Sequence, residues 1–325
     1  MKVTFYYREY RKGNFSIEML FKTILSSFGA RVQASNFYVQ SKINILSIVK
    51  AFFSQGEVNH ITGDVNYLAL VLKGSKTILT IHDIGHYEHT LTGWKKYMYK
   101  KIWFEFPLNK VKIITTVSEF TKQKLIDTFK IRPDKIIVIY NPVPPAFVFT
   151  SLPLKTSSTR ILQIGSGGNK NIEKLIEAVQ GLSCELILVR KYSEQLDFKI
   201  KQAGIKCTWH YNVSETDIVN MYKASDIVYF ASTYEGFGMP IIEAQAIGRP
   251  VITSNVASMP EIAGEGACLV NPYNGIEIRN AILKIINDTS YRDKLISNGL
   301  ENCNRFQLNK IAEEYIQLYK RIVKL

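Results

Sequence analysis

Two glutamates, Glu235 and Glu243, stand eight positions apart in the stretch YEGFGMPIIEAQAIGRP, with Gly236, Phe237, Gly238 and Pro240 between them. Paired carboxylates can act as general acid and base, or they can accept hydrogen bonds from the hydroxyls of a ligand. On one unbroken helix eight residues turn about 800°, which would leave the acids about 80° apart. Two glycines and a proline oppose such a helix. Proline suits a first helical turn and Gly248 a C-terminal stop, so the pattern predicts Glu235 in a loop and Glu243 one turn inside a helix starting near Met239. The backbone N–H groups of residues 236–238 could then meet an anion or hydroxyls, and glycine permits close approach. Acceptors at both ends with donors between them suit a polyhydroxylated ligand such as a sugar nucleotide. The competing reading is an ordinary helix start with a favourable acid near its first turn, worth ~0.3–1 kcal/mol.

Two other stretches carry residues with chemistry. GSGGNK (165–170) is a glycine-rich turn ending on Lys170. It lacks the Gly-Lys-Ser/Thr ending of a P-loop, and Lys170 stands where a dinucleotide fingerprint has its third glycine. A plain tight turn is the simple alternative. His82, Asp83, His86, Glu88 and His89 follow a strand-like run without the His-Glu-x-x-His spacing of a helical metal site. A structural role for His82 stands beside a functional one.

The elements that would position these residues repeat as strand and helix. VTFYYR (3–8), TILTIHDIGH (77–86), VKIITTVSEF (111–120) and KIIVIYNPVPP (135–145) are rich in β-branched or aromatic residues, and a helix is expected over 16–28. Ile/Val-rich strands separated by helix-length stretches predict a parallel sheet covered on both faces. AFVFTSLPLKTSSTR (146–160) loses periodicity and gains Ser, Thr and Pro, which predicts an interdomain linker. A second alternation follows: ILQIG (161–165), a helix over 171–182, CELILVR (184–190), CTWHYNV (207–213), a helix over 214–226 capped by Ser214, IVYFAS (227–232), PVITSN (250–255) and a helical 276–303. The last helix, 307–325, spaces Ile311, Tyr315, Leu318, Ile322 and Leu325 at three- and four-residue steps. The expectation is an α/β chain of two Rossmann-like domains, 1–150 and 151–306, facing across a deep cleft. Helix 307–325 is placed back on the first domain. Ligands of such folds lie at the carboxyl ends of the strands.

Composition narrows the function classes. A chain of 325 residues with 46% hydrophobic side chains can build two cores, and no apolar run reaches the roughly 18 residues needed to span a bilayer. The four cysteines, Cys184, Cys207, Cys268 and Cys303, form no C-x-x-C pair, and charges interrupt the start MKVTFYYREYRKG, which points to a cytoplasmic chain with reduced thiols. The formal charge of +13 is uneven: residues 1–150 hold 21 Lys/Arg against 10 Asp/Glu, the remainder 20 against 18. A basic first half suits an acidic partner such as an anionic membrane face, a phosphorylated acceptor or nucleic acid, or it simply aids solubility. GWKKYMYKKIWFEF (93–106) could lie on a membrane with Trp94 and Trp103 at headgroup depth. Lys95, Lys96, Lys100 and Lys101 scatter around a helix, however, which suits a core helix with solvated lysines equally well.

FASTYEGFGMPIIEAQAIGRPVITSNVASMPEIAGEGACLVNP (230–272) resembles the C-terminal signature of the family-4 retaining glycosyltransferases of the GT-B fold. The resemblance extends through IVNMYKASDIVYFAS (218–232) and GSGGNKNIEKLIEA (165–178), and more faintly through TIHDIG (80–85), TVSEFTKQKL (116–125) and VIYNPVP (138–144). It implies a hexosyltransferase-type enzyme that moves a sugar from a nucleotide-diphosphate donor to a glycan or lipid-linked acceptor with retention, in cell-surface polysaccharide or glycolipid synthesis. Glu243 is then expected on the ribose hydroxyls, and Glu235 with the backbone of Gly236, Phe237 and Gly238 on the donor sugar. Lys170 faces the diphosphate, where positive charge stabilises the leaving group. His82 lies across the cleft near the transferred sugar, and Val213 joins the donor-binding set.

The resemblance suggests front-face displacement in which the departing phosphate oxygen takes the acceptor proton. The absence of any Asp-x-Asp, by which another glycosyltransferase class holds a divalent ion, points away from a required metal, and no cofactor is expected besides the nucleotide sugar as substrate. The basic first domain is expected to bind the acceptor, placing the protein in the cytoplasm or at the inner membrane face, with no nucleic-acid partner. Several positions depart from the family: Ser166 replaces a usual Arg, with Arg190 or Lys191 as candidate substitutes on the diphosphate. Tyr211 and Pro142 replace usual glycines, and a paired-glycine loop is reduced to Gly13. The alternatives are a sugar-nucleotide epimerase of the same fold and a non-catalytic basic binding protein.

Overall fold

The computed structural model describes residues 1–9, 16–39, 45–151 and 158–324, so the expectations placed on Gly13 and Leu325 lie outside the described residues. The chain forms two compact units, Met1–Pro142 with Gln307–Leu325, and Val143–Phe306. The first unit carries 25 Lys/Arg against 12 Asp/Glu and the second 16 of each, so the entire formal +13 belongs to the first.

The first sheet contains β1 (Lys2–Arg8), β2 (Gln33–Val39), β3 (Val58–Ile61), β4 (Thr77–Ile81), β5 (Ile113–Thr116) and β6 (Ile136–Val138), all parallel, in the order β2-β1-β3-β4-β5-β6. Every residue of β3, β4 and β5 is buried, as expected of central strands covered on both faces. Alternation along β1 sends Val3, Phe5 and Tyr7 to one core layer and Tyr6 to the other. The first layer is closed by helices Ser16–Ser26 and Leu308–Val323, through Phe21, Ile311, Tyr315, Leu318 and Ile322. Inside it His60 Nδ1 meets Tyr319 Oη at 2.8 Å and Nε2 meets Thr80 Oγ1 at 2.7 Å, tying the last helix to β3 and β4.

The opposite layer includes helix Ile45–Phe53 and the segment 93–110. That segment is not one continuous α-helix: a π-helical turn, Lys100–Glu105, separates Gly93–Tyr99 from Phe106–Lys110. Pro107 has no N–H to offer the carbonyl of Trp103, and Asn66 Nδ2 donates to it instead at 3.0 Å. Trp103 is half-buried, its ring stacked on Tyr99 at 5.1 Å and packed on Tyr67 at 5.0 Å. Trp94 stays exposed, so only one of the two tryptophans expected at headgroup depth is available there. Lys100 and Lys101 both pair with Glu105.

The second sheet contains β7 (Thr159–Ile164), β8 (Cys184–Val189), β9 (Lys206–His210), β10 (Ile227–Phe230), β11 (Val251–Ser254) and β12 (Cys268–Val270), again parallel, in the order β12-β11-β10-β7-β8-β9. Chain order reverses between β7 and β10, the place where doubly wound sheets take their ligands. The expected linker begins too early. Residues 143–150 join the second unit because Phe147 packs edge-on to Tyr222 at 5.3 Å, Thr150 N donates to Ile247 O at 3.2 Å and Arg249 Nη1 donates to Thr150 O at 3.0 Å. The boundary therefore lies after Pro142, and residues 152–157 of the expected linker lie outside the described ones. The helical stretch expected over 276–303 is two helices, Gly275–Asn287 and Thr289–Asn302, with Asp288 capping the second by accepting from Tyr291 N. Ser214 caps helix Glu215–Ala224 through a full capping box with Asp217. Among the described residues no helix is long and apolar enough to cross a membrane.

Candidate functional site

The loops leaving β7 and β10 are joined at the switch point of the second sheet. Gly165 ends β7 at φ +107°, a conformation natural to glycine, and a Cβ there would lie 2.6 Å from Lys170 Cε. The loop can thus fold Lys170 back over its own start. The amide of Asn169 donates to Tyr234 O at 2.8 Å and to Glu235 Oε1 at 3.0 Å, and Thr233 N donates to Asn169 O at 2.8 Å. Lys170 Nζ lies 2.6 Å from Glu235 Oε1 and 4.5 Å above the Phe230 ring, with both charged side chains mostly buried. This is one cation and one carboxylate held in a polar notch, where their mutual attraction is screened less than at an open surface.

Beyond Glu235 the chain turns as the breakers predict. Gly238 sits at φ +108° before helix Met239–Ile247, Pro240 occupies its first turn and Gly248 ends it. A Cβ on Gly238 would lie 3.0 Å from Ile241 Cδ1. Phe237 is buried edge-on to Phe306 at 5.8 Å, so its ring anchors the turn in the core. Ser258 Oγ lies 2.9 Å from the carbonyl oxygens of both Glu235 and Phe237 and fixes the turn from below. Gly236 and Phe237 have further contacts of their own.

Glu243 lies one turn inside that helix with a different partner. Tyr222 Oη donates to Glu243 Oε2 at 2.6 Å. Burial raises the Glu243 carboxyl to about 7, opposed by the Tyr222 hydrogen bond and assisted by nearby Glu215. The two glutamates therefore differ in environment, one ion-paired and one near its titration point at neutral pH.

Ser166, found where an arginine was expected, takes the backbone N–H of Lys191 on its hydroxyl at 2.9 Å and Arg190 Nη2 on its carbonyl at 3.5 Å. Arg190 Nε and Nη1 are buried without a hydrogen-bond partner among the described residues, and burial pulls this guanidinium below its usual range. Val213 is half-buried on the loop between β9 and the Ser214 cap, and Tyr211 is exposed beside it. The second unit thus joins Lys170 to Glu235 and Ser166 to Arg190 and Lys191, with Glu243 on the helix behind the turn. Asn169, Tyr222 and Ser258 were missed in the sequence. Each acts through a contact with a distant loop that no local spacing records.

His82 belongs to the first unit, directly after β4. Its Nε2 lies 2.7 Å from Thr62 O, its ring stands edge-on to Phe21 at 6.4 Å, and burial lowers its pKa. Beside it, at the carboxyl ends of β1 and β3, Arg8 bridges Glu18 at 3.0 Å and Asp64 at 2.5 Å, a cluster the sequence did not suggest. The neighbouring acids and histidines disperse: Asp83 accepts from Gly85 N, His86 packs on Tyr99, and Glu88 pairs with Lys124. Among the described residues no three His, Cys, Asp or Glu side chains gather as a metal site.

The family described as "Glycosyl transferases group 1" matches residues 148–302, covering this switch point, and "Glycosyltransferase Family 4" matches 57–147. The chain belongs to the group 1 glycosyltransferases. This glycosyltransferase is 29% identical to the O-antigen chain mannosyltransferase B of Escherichia coli over 269 residues, which is 75% of this chain and 70% of that one. It is 25% identical to the E. coli serotype-specific mannosyltransferase WbdA over 77% of its own length, yet spans only 34% of that longer relative. Among solved structures, Anabaena Alr3699/HepE in complex with UDP and glucose superposes with a TM-score of 0.80 at 18% identity, covering 99% of this chain and 100% of that one. WaaG, a glycosyltransferase involved in lipopolysaccharide biosynthesis, gives 0.76 at 13% identity over 97% and 99%. The two parallel six-stranded sheets are those of a GT-B glycosyltransferase.

Proposed function

We propose that this glycosyltransferase takes a hexosyl group, mannose first among the candidates, from a nucleotide-diphosphate donor and adds it with retention to a growing glycan or lipid-linked acceptor of a cell-surface polysaccharide. The observation that carries the proposal is the junction of the two switch-point loops, where Lys170 Nζ lies 2.6 Å from Glu235 Oε1. In the free protein Glu235 neutralises the lysine, and an arriving diphosphate competes for it. The donor's sugar hydroxyls then replace Lys170 as partners of Glu235. Mannose is favoured because relatives that match over most of this chain include an O-antigen chain mannosyltransferase and a serotype-specific mannosyltransferase.

Lys170 contacts the diphosphate, and Arg190, with two donors lacking partners beside Ser166, is the second cation for it. Glu243 accepts the ribose hydroxyls. Val213 lines the nucleotide's path, and the backbone of Gly236, Phe237 and Gly238 contacts the sugar. His82, whose depressed pKa keeps it neutral, meets the transferred sugar. The bond from C1 to the phosphate oxygen breaks while the acceptor oxygen bonds C1 on the same face, and the acceptor proton passes to the departing phosphate oxygen. Charge on that oxygen is stabilised by Lys170, without a metal. The acceptor belongs to the basic first unit, at an anionic membrane face on the cytoplasmic side.

A thermal-shift screen of UDP, GDP, ADP and their hexose conjugates tests the donor assignment. One nucleotide should raise the wild-type melting temperature, because a ligand that binds only the folded state stabilises it. The shift should vanish in Glu243→Ala. No shift with any nucleotide would sink the assignment.

A further inference from the structure

Helix Ile45–Phe53 is apolar on both of its sides. Inward, Ala51 is fully buried and Ile48 packs on the core layer that holds Tyr6 and Phe104. Tyr6 Oη also donates to Ala51 O at 3.3 Å, which fixes this side against β1. Outward, Ile45 and Phe53 are 79% and 80% exposed, and Leu46, Val49 and Phe52 are exposed between them. At 100° per residue these five side chains fill one arc of about 120°, with exposed Lys50 just beyond its edge. The outer face of a surface helix is ordinarily polar, and contiguous apolar exposure marks an interaction surface.

Helix Gly93–Tyr99 repeats the theme, with Trp94 at 72% exposed beside exposed Tyr97, Met98 and Lys95. Its continuation places Ile102, Trp103 and Phe104 in the same core layer as Ile48 and Ala51, so both helices cover one side of the first sheet. Tryptophan and tyrosine favour headgroup depth, and lysine favours anionic headgroups.

Charge decides between occupants. The first unit holds the chain's whole formal +13, so a second copy would bring like charge against like. A nine-residue helix is far too short to span a bilayer but long enough to lie in its surface. We infer that the outer face of helix Ile45–Phe53 inserts into an anionic phospholipid surface and, with the aromatic end of Gly93–Tyr99, seats the first unit there. This deepens the membrane-face part of the proposed function and rests on it.

Sedimentation of the full chain with phosphatidylcholine vesicles, with and without phosphatidylglycerol, tests it. Wild type should pellet with the anionic vesicles, and the double variant Ile45→Ser, Phe53→Ser should partition at least tenfold less. The nucleotide-induced thermal shift should persist in that variant, which shows it folded. A second variant, Phe53→Trp, should keep binding and shift its fluorescence to the blue on the anionic vesicles. Wild-type binding by the double variant, or equal binding to the zwitterionic vesicles, overturns the inference. So does a wild-type dimer in ultracentrifugation that the double variant dissolves, because a second copy then covers the face. Vesicle binding as expected with no nucleotide shift supports this surface while defeating the donor assignment.

Discussion

Glu243 is a carboxyl whose environment can be read through pH. Its folded pKa of about 7 lies above the ordinary value of 4.5 that an unfolded chain would show, so the folded form binds the extra proton between those limits. Its contribution to stability is therefore fully present at and below about pH 4.5 and is lost as pH rises through about 7. Glu243→Gln keeps an acceptor for Tyr222 Oη without the charge. It should raise the melting temperature of the free protein at pH 8 and change it little at pH 5, and equal shifts at both would count against a buried, titrating Glu243. The spacing of breakers around Glu235 and Glu243 made the turn and the helix position legible in sequence. The unequal partners were not, because Tyr222 lies 21 residues away and reaches Glu243 only through the packing of its own helix.

At the scale of elements, the loop after β7 depends on one backbone conformation. Gly165→Ala would demand φ +107° of an L-residue and put its Cβ 2.6 Å from Lys170 Cε. Strain of this kind costs about 1–3 kcal/mol, and the flexible Lys170 chain must also leave Glu235. The variant should melt lower and lose most of its transfer activity, whereas relief of the clash without loss of activity would show that the position of Lys170 is immaterial. Strands with Ile and Val runs, such as β7, β8, β10 and β11, were legible because burial on both faces leaves no polar alternation to confuse them. β2 was not: QASNFYV is mostly exposed at the edge of its sheet and reads as polar loop. β3, VNHI, breaks its apolar run with Asn59 and His60, and β12 is only three residues long, so neither shows the run of Ile and Val that marks the others. The π-helical turn was hidden for another reason. It arises from Pro107 and the distant amide of Asn66 together, and only the proline is local.

On the scale of the whole molecule, the first unit is closed by a buried polar line. Burial lowers the pKa of His60 to about 3, far below the usual value of 6.5. Between those values the unfolded chain binds a proton that the folded chain refuses, so stability falls as pH drops from about 6.5 toward 3. Urea midpoints measured from pH 7 to pH 4 should decline more steeply in wild type than in His60→Asn, and parallel declines would show that His60 does not titrate on unfolding. The partner that buries His60 is the last helix, and this has a consequence for synthesis. Val3, Phe5, Phe21 and Phe28 are made first, but the residues that cover them, Ile311 to Ile322, leave the ribosome after the 164 residues 143–306. At ordinary translation speeds that interval is roughly 8–33 s. Throughout it the nascent chain carries an uncovered aromatic layer, so the second half of the polypeptide can mature while the first still waits for its final helix.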